Sequence, residues 1–309
     1  MQVFDKEALA ASLPYHHLIR ALEDAFRSDI AVPERVHHQV HVPGCPEATL
    51  LLMPAWRSGR FIGVKIATVF PGNTAMSLPT VNASYLLLDA NTGESVAIMD
   101  GVELTLRRTA AASALASRYL SRKDSTRLLM VGTGKLAPHL IAAHATVRRF
   151  DEVMIWGRRP AAARQLASDL GPWPCEVAVV EDLERAARRA DIICCATLAT
   201  EPLIKGDWLR AGQHLDLVGA FRPDMSEADG DALARADVYV DTFAGALSGA
   251  GEIMQAIDMG TIERSHIVGD LFALARDICR RRESNDAITL FKSVGTALED
   301  LAAAELAIG

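Results

Sequence analysis

An apolar run, Leu128-Leu129-Met130-Val131, ends directly in Gly132-Thr133-Gly134-Lys135-Leu136-Ala137. A helix-like segment from Pro138 to Arg149 follows, and then a second apolar strand, Val153-Met154-Ile155-Trp156. Few orders constrain a chain as tightly as strand, Gly-x-Gly-x-x-Ala turn, helix and strand. The glycines let the backbone bend sharply and approach a pyrophosphate, whose charge is received by the N–H groups at the helix start. Gly132, Thr133, Gly134, Lys135 and Leu136 are therefore the expected phosphate-side contacts of a dinucleotide. A glycine-rich turn without a ligand is the weaker reading, because both flanking elements have the required type.

The end of the second strand bears on which dinucleotide is bound. A fold that takes NAD usually places an acid there for the ribose hydroxyls. Here the strand runs into Gly157-Arg158-Arg159, and the nearby acids, Asp151 and Glu152, precede it. Two guanidiniums suit a 2′-phosphate, which Arg grips with paired hydrogen bonds. NADPH is expected over NADH; the competing reading is a solvated basic turn.

With 309 residues, half of them hydrophobic, the chain has room for two cores. The net charge is −7 with both signs interspersed, which gives nucleic-acid binding no electrostatic support. No apolar run is long enough to cross a bilayer, and the first residues, Met1-Gln2-Val3-Phe4-Asp5-Lys6-Glu7, do not resemble a signal peptide. A soluble, cytoplasmic protein is expected. The five cysteines include no C-x-x-C pair and read as reduced thiols. Cys194 and Cys195 are neighbours in one apolar strand and should point to opposite faces. His37, His38, His41 and Cys45 lack an acid at ligand spacing, so no metal is expected.

Before the dinucleotide motif, the pattern is that of a sheet-rich α+β unit. A helix-like stretch (Pro14 to Ser28) precedes extended stretches at Arg35–Val42, Thr49–Met53, Phe61–Phe70 and Ala83–Asp89, with a turn at Asn91-Thr92-Gly93. Asp100 and Glu103 have capping-box spacing at the head of a long alanine-rich helix, placed between two domains. Ser121 to Ser125 is the expected linker. Further strands at Asp191–Thr197, His214–Ala220 and Val238–Asp241 alternate with helices, the signature of a doubly wound parallel sheet. The expected domains are 1–119, completed by about 287–309, and a Rossmann domain at 120–286.

Lys65 is the first candidate for chemistry. Alternation puts Gly63, Lys65 and Ala67 on one face, and the two small neighbours are expected to leave space for a ligand above the charge. A gatekeeper lysine on an edge strand is the plain alternative. Arg107 and Arg108 lie inside the alanine-rich helix, where a buried cation needs an anionic partner, and the pattern alone does not choose between them. Arg35 is a third cation, with a structural ion pair as its competing use. Together these could hold a substrate carboxylate beside a nicotinamide. No Gly-x-Ser-x-Gly elbow, Cys/His signature or paired carboxylates support a hydrolase.

From about Pro33 to its end the chain resembles the ornithine cyclodeaminase/mu-crystallin family. The resemblance rests on Gly63-Val64-Lys65, Phe70-Pro71-Gly72-Asn73, Leu78-Pro79-Thr80-Val81-Asn82-Ala83 and Thr92-Gly93-Glu94. Its most specific segment is Asp100-Gly101-Val102-Glu103-Leu104-Thr105-Leu106-Arg107-Arg108-Thr109-Ala110-Ala111, and Phe291-Lys292-Ser293-Val294-Gly295-Thr296-Ala297-Leu298-Glu299-Asp300 closes it. The resemblance implies a substrate and dimerisation domain beside the Rossmann domain, and a homodimer. It implies that Lys65 and Arg108 contact a substrate carboxylate, with Arg35 a third candidate, and that Asn82, Thr197 and Ser293 lie near the cofactor.

Two departures shape the expected chemistry. Leu136 replaces the family's usual glutamine, a local change at the cofactor. Members that cyclise or form amino acids from open chains carry Gly-x-Asp after the fifth strand, whereas this chain reads Gly219-Ala220-Phe221. Phenylalanine cannot act as a base. Asp216, Asp224 and Glu227 are near in sequence but do not occupy that position. Gly-Ala-Phe-x-Pro-x-Met-x-Glu is similar to the branch that reduces pyrroline-2-carboxylate and piperideine-2-carboxylate. A preformed imine needs a hydride, a carboxylate clamp and one proton, and Phe221 would wall the ring. NADPH-dependent ketimine reduction is therefore the expected activity. The alternatives are an ornithine cyclodeaminase or open-chain amino-acid dehydrogenase, and a non-catalytic NADPH-dependent binding protein.

Overall fold

The structure, a computed structural model, describes residues Met1–Gly309. In chain order the first elements are β1 (Gln2–Phe4), α1 (Lys6–Ser12), α2 (Tyr15–Arg27), β2 (Val36–Val40), β3 (Ala48–Arg57), β4 (Phe61–Val69), β5 (Val81–Asp89), β6 (Ser95–Asp100) and α3 (Gly101–Leu120). Then come β7 (Arg127–Val131), α4 (Ala137–Val147), β8 (Glu152–Trp156), α5 (Pro160–Asp169), β9 (Glu176–Val179), α6 (Leu183–Arg189), β10 (Ile192–Cys195) and β11 (His214–Leu217). The last are α7 (Gly230–Ala234), β12 (Asp237–Val240), α8 (Phe243–Gly249), α9 (Gly251–Asp258), β13 (Ile267–Asp270), α10 (Leu271–Arg276), β14 (Thr289–Lys292) and α11 (Ala297–Ile308). No helix is long and apolar enough to cross a membrane.

The chain forms two compact units: Met1–Thr109 with Thr296–Gly309, and Ala110–Gly295. The division falls inside α3, whereas the sequence reading set it at 119/120. Ser121 to Ser125, expected as a linker, is a turn of the second unit. Ser121 and Ser125 are buried there, and the Arg148 guanidinium donates to the carbonyls of Ser117, Ser121 and Arg122. On the C-terminal side the expected break was 286/287. β14 instead pairs with β11 and β12 in the second unit, so only α11 returns to the first.

The first unit is built on a six-stranded sheet ordered β1-β6-β5-β4-β3-β2, antiparallel except for β1 with β6. Alternation sorts its two faces. Met53, Lys65, Tyr85 and Met99 lie in register across four strands and are all buried, on the face that α11 covers. Pro54, Val64, Leu86 and Ile98 form the matching row on the other face. There Trp56, Ile66 and Ile98 remain 36%, 39% and 38% exposed.

In the second unit an eight-stranded, wholly parallel sheet runs β13-β12-β14-β11-β10-β7-β8-β9. From β7 the chain builds outward through β8 and β9, then returns to continue on the other side with β10 and β11. The β7/β10 boundary is the switch point beyond whose strand ends such folds take their ligands. Leu128, Leu129, Met130 and Val131 are fully buried, as expected for a strand covered on both faces.

Candidate active site

Gly132 leaves β7 at φ +119°, a conformation that L side chains rarely adopt, and its amide donates to the Trp156 carbonyl at 2.9 Å. A Cβ there would meet the Ala196 carbonyl oxygen at 2.5 Å, and one at Gly157 would meet Thr133 Cγ2 at 2.6 Å. At Gly134 a Cβ would find nothing within 4 Å, so that side of the turn is open. The amides of Thr133, Gly134, Lys135 and Leu136 make no hydrogen bond within the protein. Four donors beside an open glycine at the head of α4 fit a pyrophosphate. Arg158 and Arg159 are exposed directly after β8, with no acid between the strand and α5.

Around this turn the expected residues meet different fates. Thr197 follows β10, and its Cγ2 lies 3.3 Å from the position of a Gly132 Cβ. Ser293 is buried, and its hydroxyl donates to Asp241 Oδ2 at 3.2 Å, an oxygen that also accepts the amides of Val294 and Gly295. Phe221 stands 50% exposed in the loop after β11. Asp216 is sealed in the interior: Ser113 Oγ donates to its Oδ1 at 2.9 Å, Cys194 Sγ to its Oδ2 at 3.0 Å, and His144 Nε2 lies 3.6 Å away. Burial pushes the Asp216 carboxyl and the Cys194 thiol up and the His144 imidazole down. This buried His-Cys-Asp convergence was not foreseen, because its members are separated in sequence and each sits in an ordinary apolar stretch. Cys195, on the opposite face of β10, packs in the hydrophobic core. His37, His38, His41 and Cys45 are all exposed.

In the first unit, Lys65 and Arg108 come together on one carboxylate. Lys65 Nζ lies 2.8 Å from Asp300 Oδ2, Arg108 Nε donates to Asp300 Oδ1 at 2.9 Å, and Arg108 Nη1 donates to Glu299 Oε2 at 2.6 Å. Nη2 of Arg108 is not committed to either acid. The two cations are 4% and 5% exposed and the acids not at all. Burial lowers Lys65 to about 8, with Arg108 acting in the same direction and Asp300 opposing both. Burial also works against the Arg108 charge, but Asp300 and Glu299 outweigh it and raise its pKa. Asp300 stays below the usual carboxylate range, because Lys65 and Arg108 overcome the effect of its own burial.

The two arginines meet different partners. Arg107 pairs with Glu103 Oε1 at 2.7 Å, donates to the Leu13 carbonyl and lies over the Tyr15 ring. The space expected above Gly63 is not a ligand space. A Cβ at Gly63 would run into the Tyr85 hydroxyl and lie 3.1 Å from Leu301, so glycine here admits the Tyr85 ring. Arg35 is exposed one residue ahead of β2, and Asn82 is exposed near the start of β5, with its amide 3.4 Å from the Pro79 carbonyl. Glu299 and Asp300 were missed as site residues, although their place in the first turn of α11 was readable.

The model of the ornithine cyclodeaminase/mu-crystallin family matches residues 3–308. The Delta(1)-pyrroline-2-carboxylate reductase of Paracoccus denitrificans is 40% identical over 279 residues, covering 90% of this chain and 88% of that protein. Among solved structures, the Thermococcus litoralis Delta(1)-pyrroline-2-carboxylate reductase in complex with NADH and L-proline superposes with a TM-score of 0.90. It is 33% identical and the match covers 99% of this chain and 96% of that one. An archaeal alanine dehydrogenase dimer with bound NAD also gives a TM-score of 0.90, at 29% identity, with 99% and 94% covered.

Replacing Asp300 by Asn leaves Lys65 and Arg108 buried with Glu299 as their remaining carboxylate. We expect Asp300→Asn to cost about 3–5 kcal/mol of folding stability, read as a lower urea midpoint at unchanged slope. A midpoint equal to that of the wild type would show that the cluster contributes nothing to stability.

Proposed function

The chain belongs to the ornithine cyclodeaminase/mu-crystallin family, and we propose that within it this protein is an NADPH-dependent reductase of cyclic ketimine 2-carboxylates, yielding L-proline or L-pipecolate. The observation that carries this reading is that the loop after β11 offers no accessible base. Phe221 is exposed at that position, Asp216 and Glu227 are fully buried, and Asp224 is tied to Arg222 at 2.8 Å. An imine that is already formed needs no base to activate water or an amine. A bound reduced nicotinamide supplies the hydride to the C=N carbon, while the nitrogen takes one proton.

Arg108, through Nη2, and Lys65, through its remaining N–H groups, hold the substrate carboxylate in this reading. Lys65 is also the one member of the clamp able to release a proton near neutral pH. Phe221 offers an apolar wall to the ring. The second unit serves as the dinucleotide domain, with Arg158 and Arg159 on the 2′-phosphate. The first serves as the substrate and dimerisation domain. Five free cysteines fit the reducing cytoplasm in which we place the reaction. A homodimer formed through the outer sheet face would cover Trp56, Ile66 and Ile98.

Three measurements test this. NADPH absorbance should fall on adding pyrroline-2-carboxylate or piperideine-2-carboxylate, with proline or pipecolate as product and NADH slower. The double variant Arg158→Ala, Arg159→Ala should raise KM for NADPH by about tenfold or more and spare the NADH rate. Ammonia from ornithine, with no turnover of either imine, would indicate a cyclodeaminase. NADPH binding without any turnover would indicate a binding protein.

The pH profile follows from Lys65. Its ammonium is needed for the carboxylate and loses its proton as pH rises through about 8. KM for the imine should therefore be flat below that pH and rise about tenfold per unit above it. A KM that stays flat to pH 10 would remove Lys65 from the clamp. For the dimer, Ile98→Asp should convert the sedimenting species from dimer to monomer, and a wild-type monomer would refute the interface.

A further inference from the structure

Glu227 carries no role in the reading above, yet it is one of the most heavily engaged side chains in the second unit. Its carboxylate is fully buried. Oε1 accepts the Thr197 amide at 2.6 Å and the Thr197 hydroxyl at 2.9 Å, and Oε2 accepts the Gly219 amide at 2.6 Å. One carboxylate thus joins the segment leaving β10 to the segment leaving β11.

The surroundings hold both segments closely. A Cβ on Gly219 would collide with the Thr197 carbonyl and lie 2.5 Å from both the Thr197 nitrogen and Glu227 Oε1. The Glu227 carbonyl accepts the amides of Leu203 and Ile204, and the Ser226 amide donates to Ala199. The loop before Glu227 is held by Gln255, whose side-chain amide donates to the carbonyls of Pro223 and Met225. A buried carboxylate also needs countercharge. Burial raises the Glu227 carboxyl and Lys292 lowers it, while Lys292 itself lies 3.2 Å from Glu252 Oε1.

Both segments lie beyond the carboxyl ends of strands beside the switch point, where folds of this kind take their ligands. Ala196 and Thr197 also pack directly against Gly132 of the dinucleotide turn. We propose that Glu227 is a positioning residue: by tying Thr197 to Gly219 it holds the rim of the nicotinamide end of the dinucleotide site and sets the placement of Phe221. The role rests on the dinucleotide reading of the second unit. It does not require that the substrate be a ketimine.

The test is Glu227→Gln. An amide can accept at one end only, so its NH2 must face either the Gly219 or the Thr197 N–H, and one of the two ties is lost. The enzyme should keep its affinity for NADPH within about threefold, since pyrophosphate contacts lie on the other side of the turn. The fluorescence enhancement of bound NADPH, a report on the nicotinamide end, should be largely lost. With an imine substrate kcat should fall on the order of a hundredfold. Asp224→Asn, an exposed change in the same loop, should match the wild type in each respect.

Wild-type fluorescence and kcat in Glu227→Gln would overturn the proposal. So would a loss of NADPH binding that tracks a lower melting temperature of the unliganded protein, which is what a purely structural role predicts. A wild type that reduces neither imine would sink the reductase reading alone, because the fluorescence comparison still decides the role of Glu227.

Discussion

Two cations and two carboxylates buried against one face of the six-stranded sheet govern the construction of the first unit. Lys65 points inward from the middle of β4, and Arg108 joins it from α3. Neither could be buried alone, since an unpaired buried charge is far too costly. The countercharge comes from Glu299 and Asp300, about 190 residues further along the chain, in the first turn of α11. That place suits acids twice over, because a helix N-terminus favours negative charge before any cation is considered. The need for these acids explains why the C-terminal helix leaves the Rossmann unit and returns to pack on β3, β4 and α2. A second pair, Arg57 with Glu305 at 3.3 Å, fastens the same helix further along.

How much of this could be read from the chain differs by kind of feature. The dinucleotide turn was plain because its constraint is local: Gly132 must take a positive φ and Gly157 must admit Thr133, and both needs are written as glycines. The long strands and the capped alanine-rich helix were also legible from period and cap. Asp100 accepts the Glu103 amide at 2.8 Å, although the Glu103 carboxylate turns to Arg107 rather than back to the cap. Short elements such as β1, β9 and β13 were missed, since three or four residues carry too little pattern.

Long-range pairing was illegible for a different reason. Helical spacing could not separate Arg107 from Arg108, because the difference lies in what each one meets: Tyr15 and Glu103 for one, α11 for the other. Gly63 was misread for the same cause. Its small size looked like room for a ligand, but the Tyr85 ring fills that room from the neighbouring strand. Glu227 was weighed only as an acid that does not occupy the base position, and only the folded chain brings Thr197 and Gly219 to it.

The charge count of the proposed clamp bears on the ligand it would take. Lys65 and Arg108 against Glu299 and Asp300 sum to zero, so a clamp built on them would not be a general anion trap. It would be a neutral frame whose cations present a few directed donors, while its acids would repel a ligand of net negative charge. Such a frame favours a ligand that is itself neutral overall but carries a carboxylate at one end. A cyclic iminium 2-carboxylate is of that kind before reduction, and so is the imino acid it becomes. Because both have the same net charge, the proposed clamp would keep its geometry through the reaction and leave differences between them to be felt at the carbon and nitrogen that change. A plain carboxylate without a positive nitrogen would add an uncompensated charge to a buried site, and on these grounds should bind poorly.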